Sequence, residues 1–216
     1  MMKIRDVDLA ASRAYPKARD FNRSTQWLAS LYVSCLGELE AGSISKVFIE
    51  VAPTERRIQV RKIGNVAEVL TSSDLSAYWS APVAGKKRMA LDLLEHGLLA
   101  AASHFGWPKR PFEAARDCIV QKGYRNAQFW DRARWNPDRT FRAQVFYDFD
   151  VEEITVWAIV WNREGDEVAR EQLVQLPPSD PVLVGSLGRF RWRDLATCEL
   201  TDRKGESSWT ASVRVH

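Results

Sequence analysis

The sequence predicts an α+β domain, built as a mainly antiparallel β-sheet with helices packed on one side. Three observations carry that prediction. Residues 86–105 place Ala90, Leu91, Leu94, Leu98, Ala101 and Phe105 on one helical arc, with Arg88, Asp92, Glu95, His96 and Ser103 on the other. Residues 139–175 then switch to strand patterning and read as a hairpin whose strands are apolar on both faces. Short strand-like runs bounded by Gly, Asn and Pro occur on both sides of these blocks.

Taken in order, the elements begin with a weak alternation of Ile4, Val7 and Leu9, which suits a short edge strand over 3–9. Ser24 is the expected N-cap of a helix over 25–39, with Leu28, Leu31, Tyr32, Cys35 and Leu39 at helical spacing and Gly42 as its stop. Strands are predicted at 46–51, 57–62 and 66–70, joined by turns at Pro53 and Gly64-Asn65. A single helical turn over 74–79 ends at Ala81-Pro82, and the helix over 86–105 is capped by Gly106. Pro111 opens a further helix with Phe112, Ala115 and Ile119 inward and Gly123 as its stop.

Strands dominate from there. They are predicted over 126–134, over 140–149 with Phe141, Ala143, Val145, Tyr147 and Phe149 on one face, and over 154–161 as a central strand covered on each side. A turn at 162–166, a strand over 167–175, and strands over 190–198, 199–201 and 208–215 complete the pattern. Residues 1–216 read as one domain. The Pro-bearing stretch 176–182 is the one candidate internal boundary, and its shortness suits a connection within one sheet.

Composition bounds the function. The chain of 216 residues carries 31 Lys and Arg against 28 Asp and Glu, a net charge of +3 that demands neither a nucleic-acid nor a membrane partner. Nine Trp are enough to supply both core and interface anchors. Cys35, Cys118 and Cys198 are sparse and odd in number, which argues against a secreted disulfide scaffold and a thiolate zinc site. The charged N-terminal stretch lacks the apolar region of a secretory signal, and no uninterrupted apolar run is long enough to span a membrane; the expected address is the cytoplasm.

No phosphate-cradling glycine motif and no common hydrolase or metalloprotease signature occurs, and no cofactor or metal is expected. Asp92 and His96 stand four apart on a helix, where a carboxylate could orient an imidazole for an attacking Cys118. Ordinary surface decoration is the stronger reading of such a pair, and Cys118 suits a buried, inert thiol. His104 is accounted for by a helix C-terminus. Asp148, Asp150, Glu152 and Glu153 concentrate charge at a hairpin turn, which suits a divalent cation or a basic partner surface, or simply the solvated turn that two apolar strands require; the EF-hand glycine is absent. Trp130, Arg132, Arg134 and Trp135, with Arg125 and Arg139 nearby, mix rings and guanidiniums. Arg189, Arg191 and Arg193 alternate with Phe190 and Trp192. Both groups suit single-stranded nucleic acid by stacking, or an amphipathic strand whose arginine stems cover rings.

The run KKRMALDLLEHGLLAAASHFGW, followed by PFEAARDCIVQKGYRNAQFW and paired strands through 154–161, resembles immunity proteins of bacterial toxin systems. The resemblance lies in the order of elements and in residue texture, over about two fifths of the chain, residues 86–174. It implies a non-catalytic protein that binds a cognate toxin in the cytoplasm and blocks its active site or access to its substrate. It implies no particular residue. Immunity proteins against basic nucleases tend to be acidic, so this slightly basic chain implies a toxin of another chemistry or contact through a local acidic patch. The expected partner surface is Trp130, Arg132, Arg134 and Trp135 as anchors, with Asp148 and Asp150 as charged contacts.

Overall fold

The computed structural model describes residues 2–53 and 57–213, and the protein is α+β as the sequence predicts. The chain divides into two compact units, Met1–Asn126 and Ala127–His216. The stretch 176–182 lies inside the second unit.

In the first unit, β1 (Asp6–Ala11), β2 (Lys46–Ala52), β4 (Val66–Ser72) and β3 (Gln59–Ile63) form one sheet in that order. β1 and β4 each pair with β2 in parallel, and β3 pairs with β4 antiparallel, so this sheet is mixed. A parallel pair needs a crossover, and α1 (Ala18–Ser24) with α2 (Gln26–Leu36) supplies the one between β1 and β2. The sequence reading missed α1, and Ser24 ends it: its hydroxyl donates to the Phe21 carbonyl at 3.0 Å. Thr25 occupies the N-cap position of α2, which stops at Gly37, where φ is 66°.

Val7, Leu9, Val47, Ile49, Ala67 and Val69 alternate along β1, β2 and β4 and are buried on one face of this sheet. The helices cover that face. α3 (Ser76–Ser80) leads into α4 (Val83–Phe105), which buries the predicted arc Ala90, Leu91, Leu94, Leu98 and Ala101. Gly106 caps α4 in the left-handed conformation, its neighbour Trp107 donating to the Ala102 carbonyl at 2.9 Å. α5 (Arg110–Gln121) opens on Pro111 and buries Phe112, Ala115 and Ile119, as expected. The buried Tyr32 hydroxyl of α2 donates to the Phe112 carbonyl at 3.0 Å, and burial raises its pKa well above the usual phenol range. Cys35 and Cys118 form a disulfide between the same two helices. That corrects the expectation of an inert free thiol at Cys118: two half-buried cysteines, 83 residues apart in sequence, are brought together by packing that no local spacing announces.

The second unit holds β5 (Asn126–Trp135), β6 (Arg142–Phe149), β7 (Ile154–Trp161) and β8 (Glu167–Leu176) in one four-stranded sheet, ordered as in the sequence. After the short helix α6 (Asp180–Ser186), which the sequence reading missed, come β9 (Arg189–Trp192), β10 (Thr197–Thr201) and β11 (Ser208–Ser212) in a three-stranded antiparallel sheet. The predicted strand over 208–215 extends beyond the described residues.

The inner face of the larger sheet buries Ala143, Val145, Phe149, Val156, Ala158 and Val160; Phe190, Cys198, Leu200 and Ala211 are buried on the smaller one. The two sheets are tied on both sides. Trp192 Nε1 of β9 donates to the Arg134 carbonyl of β5 at 2.8 Å, and the Ser212 N–H of β11 donates to Glu171 of β8 at 3.1 Å. Buried Asn136 adds a third tie between turns, its amide donating to the Leu195 carbonyl at 2.8 Å.

Candidate interaction surface

The outer face of the four-stranded sheet follows from strand alternation. The register pairs Arg142 with Trp161, Gln144 with Ile159, Phe146 with Trp157 and Asp148 with Thr155. These residues share the face opposite Ala143, Val145 and Phe149. Three aromatic rings interlock on it: Phe129 lies 5.2 Å from Phe146 and 5.7 Å from Trp161, centroid to centroid. Phe129 is 50% exposed, and Phe146, Trp157 and Trp161 are half-buried. Beneath them Ile159 is almost fully buried. β7 is central, as predicted, but its outer side is covered by side chains of its own sheet, with two tryptophans still reaching solvent.

Two guanidiniums lie on these rings. Arg142 sits 5.6 Å over Trp161, and Arg170 sits 5.6 Å over Phe146. Their electrostatics differ. Arg170 forms a two-pronged pair with Glu167, at 2.8 and 2.9 Å, which holds the Glu167 carboxyl below its usual range. Arg142 has no carboxylate partner among the described residues, and its Nε is buried without a hydrogen bond.

The residues expected to make the partner surface are placed as follows. Trp130 is half-buried and projects from the side of β5 opposite its neighbour Phe129; Trp135 is 47% exposed at the end of the strand. Arg132 and Arg134 are exposed, and Arg134 pairs with Asp131 at 2.6 Å. Asp131 has a φ of 55°, and its carboxyl is held low by the Arg132 backbone N–H and by Arg134. Asp148 is half-buried on the outer face. Asp150 is turned onto its own loop, where its carboxylate accepts from the Val151 N–H at 2.6 Å.

Sequence reasoning missed Phe129, Phe146, Trp157, Trp161, Arg142 and Arg170. The signal was present: a strand apolar on both faces at the middle of a sheet needs two covers, and the sequence supplies no further helix to provide the second.

The enzyme alternative meets a different geometry. Asp92 pairs with Arg116 at 2.6 Å, Glu95 joins it at 2.7 Å, and His96 is exposed with no hydrogen bond among the described residues. Cys118 is held in the disulfide. Among the described residues no three His, Cys, Asp or Glu side chains converge to hold a metal ion. A depression of about 460 Å³ in the first unit is lined by Met2, Arg5, Asp6, Lys46 and Asn65, with Lys46 bonded to Asp6 at 2.7 Å. Three of the arginines proposed for nucleic acid are engaged with carboxylates: Arg134 with Asp131, and Arg191 and Arg193 beside the buried Glu199 at 2.9 and 3.8 Å.

No helix among the described residues is long and apolar enough to cross a membrane. No family model, curated protein or solved structure matches this chain.

Proposed function

We propose that this is a non-catalytic protein-binding module, of the kind that neutralises a cognate bacterial toxin by covering it. One observation carries the binding part: interlocked aromatic rings with stacked guanidiniums stand half-exposed on the outer face of the β5–β8 sheet. Tryptophan and arginine are enriched in binding hot spots, and aromatic rings on a rigid support bury large area with few rotamers to freeze. The toxin part rests on the resemblance of residues 86–174 to immunity proteins.

The reading places the protein in the cytoplasm, where reductants keep thiols free, whereas the Cys35–Cys118 pairing weighs towards an oxidising compartment. The contact between α2 and α5 does not depend on the bond alone, since Tyr32 also joins Phe112 across it.

The test is co-expression with a candidate toxin, if the neighbouring reading frame encodes one. The expected result is a complex that survives purification and rescues growth, with both effects lost in a Phe129→Ala, Trp161→Ala double variant. Absence of both the complex and the rescue with the unaltered chain would overturn the reading.

A further inference from the structure

We propose that the outer face of the β5–β8 sheet takes an acidic segment of a partner protein, and that Arg142 is the group that grips its carboxylate. The proposal rests on the protein-binding reading and adds the place and the chemistry of contact.

The argument starts from how arginine is used across this unit. Arg134 pairs with Asp131, Arg170 with Glu167, and Arg191 and Arg193 with Glu199. Among the described residues Arg142 has no such partner, and it differs from the other unpaired arginines of the unit, such as the exposed Arg132 and Arg189, in lying over a ring with part of its guanidinium buried. Its guanidinium lies 5.6 Å over the Trp161 ring, its Nε is buried without a hydrogen bond, and no carboxylate reaches it among the described residues. A guanidinium carries five N–H donors in one plane. With Nε buried, the two terminal Nη groups are the donors left for a ligand, and a carboxylate matches that end of the guanidinium with two parallel bonds.

The surroundings select the rest of the ligand. Phe129, Phe146 and Trp161 form an apolar rim beside the guanidinium, suited to an aliphatic or aromatic side chain next to the acid. A nucleic-acid strand would need several phosphates neutralised in a row. On this face Arg170 is already paired with Glu167, and Asp148 adds negative charge. Acidic residues also outnumber basic ones in Ala127–His216. One open cation among rings therefore fits an acidic peptide and not a polyanion.

The full chain serves as bait for a phage-displayed random-peptide library, and enriched sequences are remade as capped synthetic peptides. The expected peptides carry Asp or Glu beside an apolar residue. Arg142→Gln weakens them at least tenfold, and so does replacing the peptide acid by its amide. The two changes together cost no more than either alone, because they remove one contact. Phe129→Ala, at a half-exposed position, weakens the same peptides and serves if Arg142→Gln does not fold.

Enriched peptides without an acid, or full affinity in both variants, overturn the proposal. Competition by a dT20 oligonucleotide that depends on Arg142 overturns it in favour of nucleic acid. A dimer in sedimentation that Arg142→Gln dissolves overturns it in favour of a second copy. Peptide binding lost in Trp135→Ala but kept in Arg142→Gln overturns this placement alone and leaves the protein-binding reading standing.

Discussion

Gly97 of α4 lies so close to Ile49 of β2 that a Cβ added to it would stand 2.6 Å from Ile49 Cδ1 and 2.8 Å from Cγ2. Helix and sheet therefore touch through a missing side chain. Alanine favours a helix by about 0.8–1 kcal/mol over glycine, but overpacking a filled core costs about 1–3 kcal/mol. Gly97→Ala is expected to destabilise the protein in urea unfolding. In an Ile49→Ala background, where the clashing atoms are gone, the same change should become neutral or stabilising. Equal effects in both backgrounds would refute the contact.

Breaking the Cys35–Cys118 bond releases a closure across 83 residues, for which the expected loss is about 2–4 kcal/mol. Thermal melting with and without reductant measures it, and Cys35→Ser should match the reduced protein. A melting temperature indifferent to reductant would mean that the sulfurs are not bonded in solution.

Cys198 is the free cysteine of the second unit's core, and burial pushes its thiol up to about 12 from the ordinary 9.0. A pKa raised on folding adds stability that is fully present below pH 9 and is lost as pH rises towards 12. Native protein at pH 8 is expected to resist a thiol reagent at this position and to react once unfolded. Rapid labelling of the native state would place the thiol at the surface.

Asn136 is 2% exposed; its amide donates to Thr140 at 3.1 Å and to Leu195, and its oxygen accepts from the Phe141 N–H at 3.0 Å. Asn136→Ala leaves the part-buried Phe141 N–H and the Leu195 carbonyl without these partners, at an expected cost of about 1 kcal/mol. Asp is expected to recover part of the loss, since it can still accept from Phe141. Denaturant midpoints of the two variants decide it.

Trp135 is half in solvent, so Trp135→Ala should change stability by less than about 1 kcal/mol in urea unfolding. A larger loss would make it a structural ring and remove it from the candidate contacts.

Much of the fold was legible because its signals are local. Pro111 and Gly106 mark helix ends, the apolar arc of α4 has the right period, and β6 buries Ala143, Val145 and Phe149 on one face as predicted. The parallel placement of β1 beside β2 was not legible, since it depends on a crossover whose first helix, α1, buries only Phe21 and has too little apolar pattern to declare itself. The disulfide was hidden for the same reason: only tertiary packing brings Cys35 to Cys118. At the surface, the exposed Trp135 and the arginines around it are the groups that sequence spacing alone picks out. The rings that interlock come from three different strands, and Phe129, Phe146 and Trp161 become neighbours only once register is fixed.

The fastening of the two sheets along opposite margins, by Trp192 on one side and Glu171 on the other, bears on association kinetics. A platform braced in this way, with its rings already wedged together, surrenders little motional freedom when something settles on it. Variants of its outer layer should therefore change how long a visitor stays far more than how quickly it arrives.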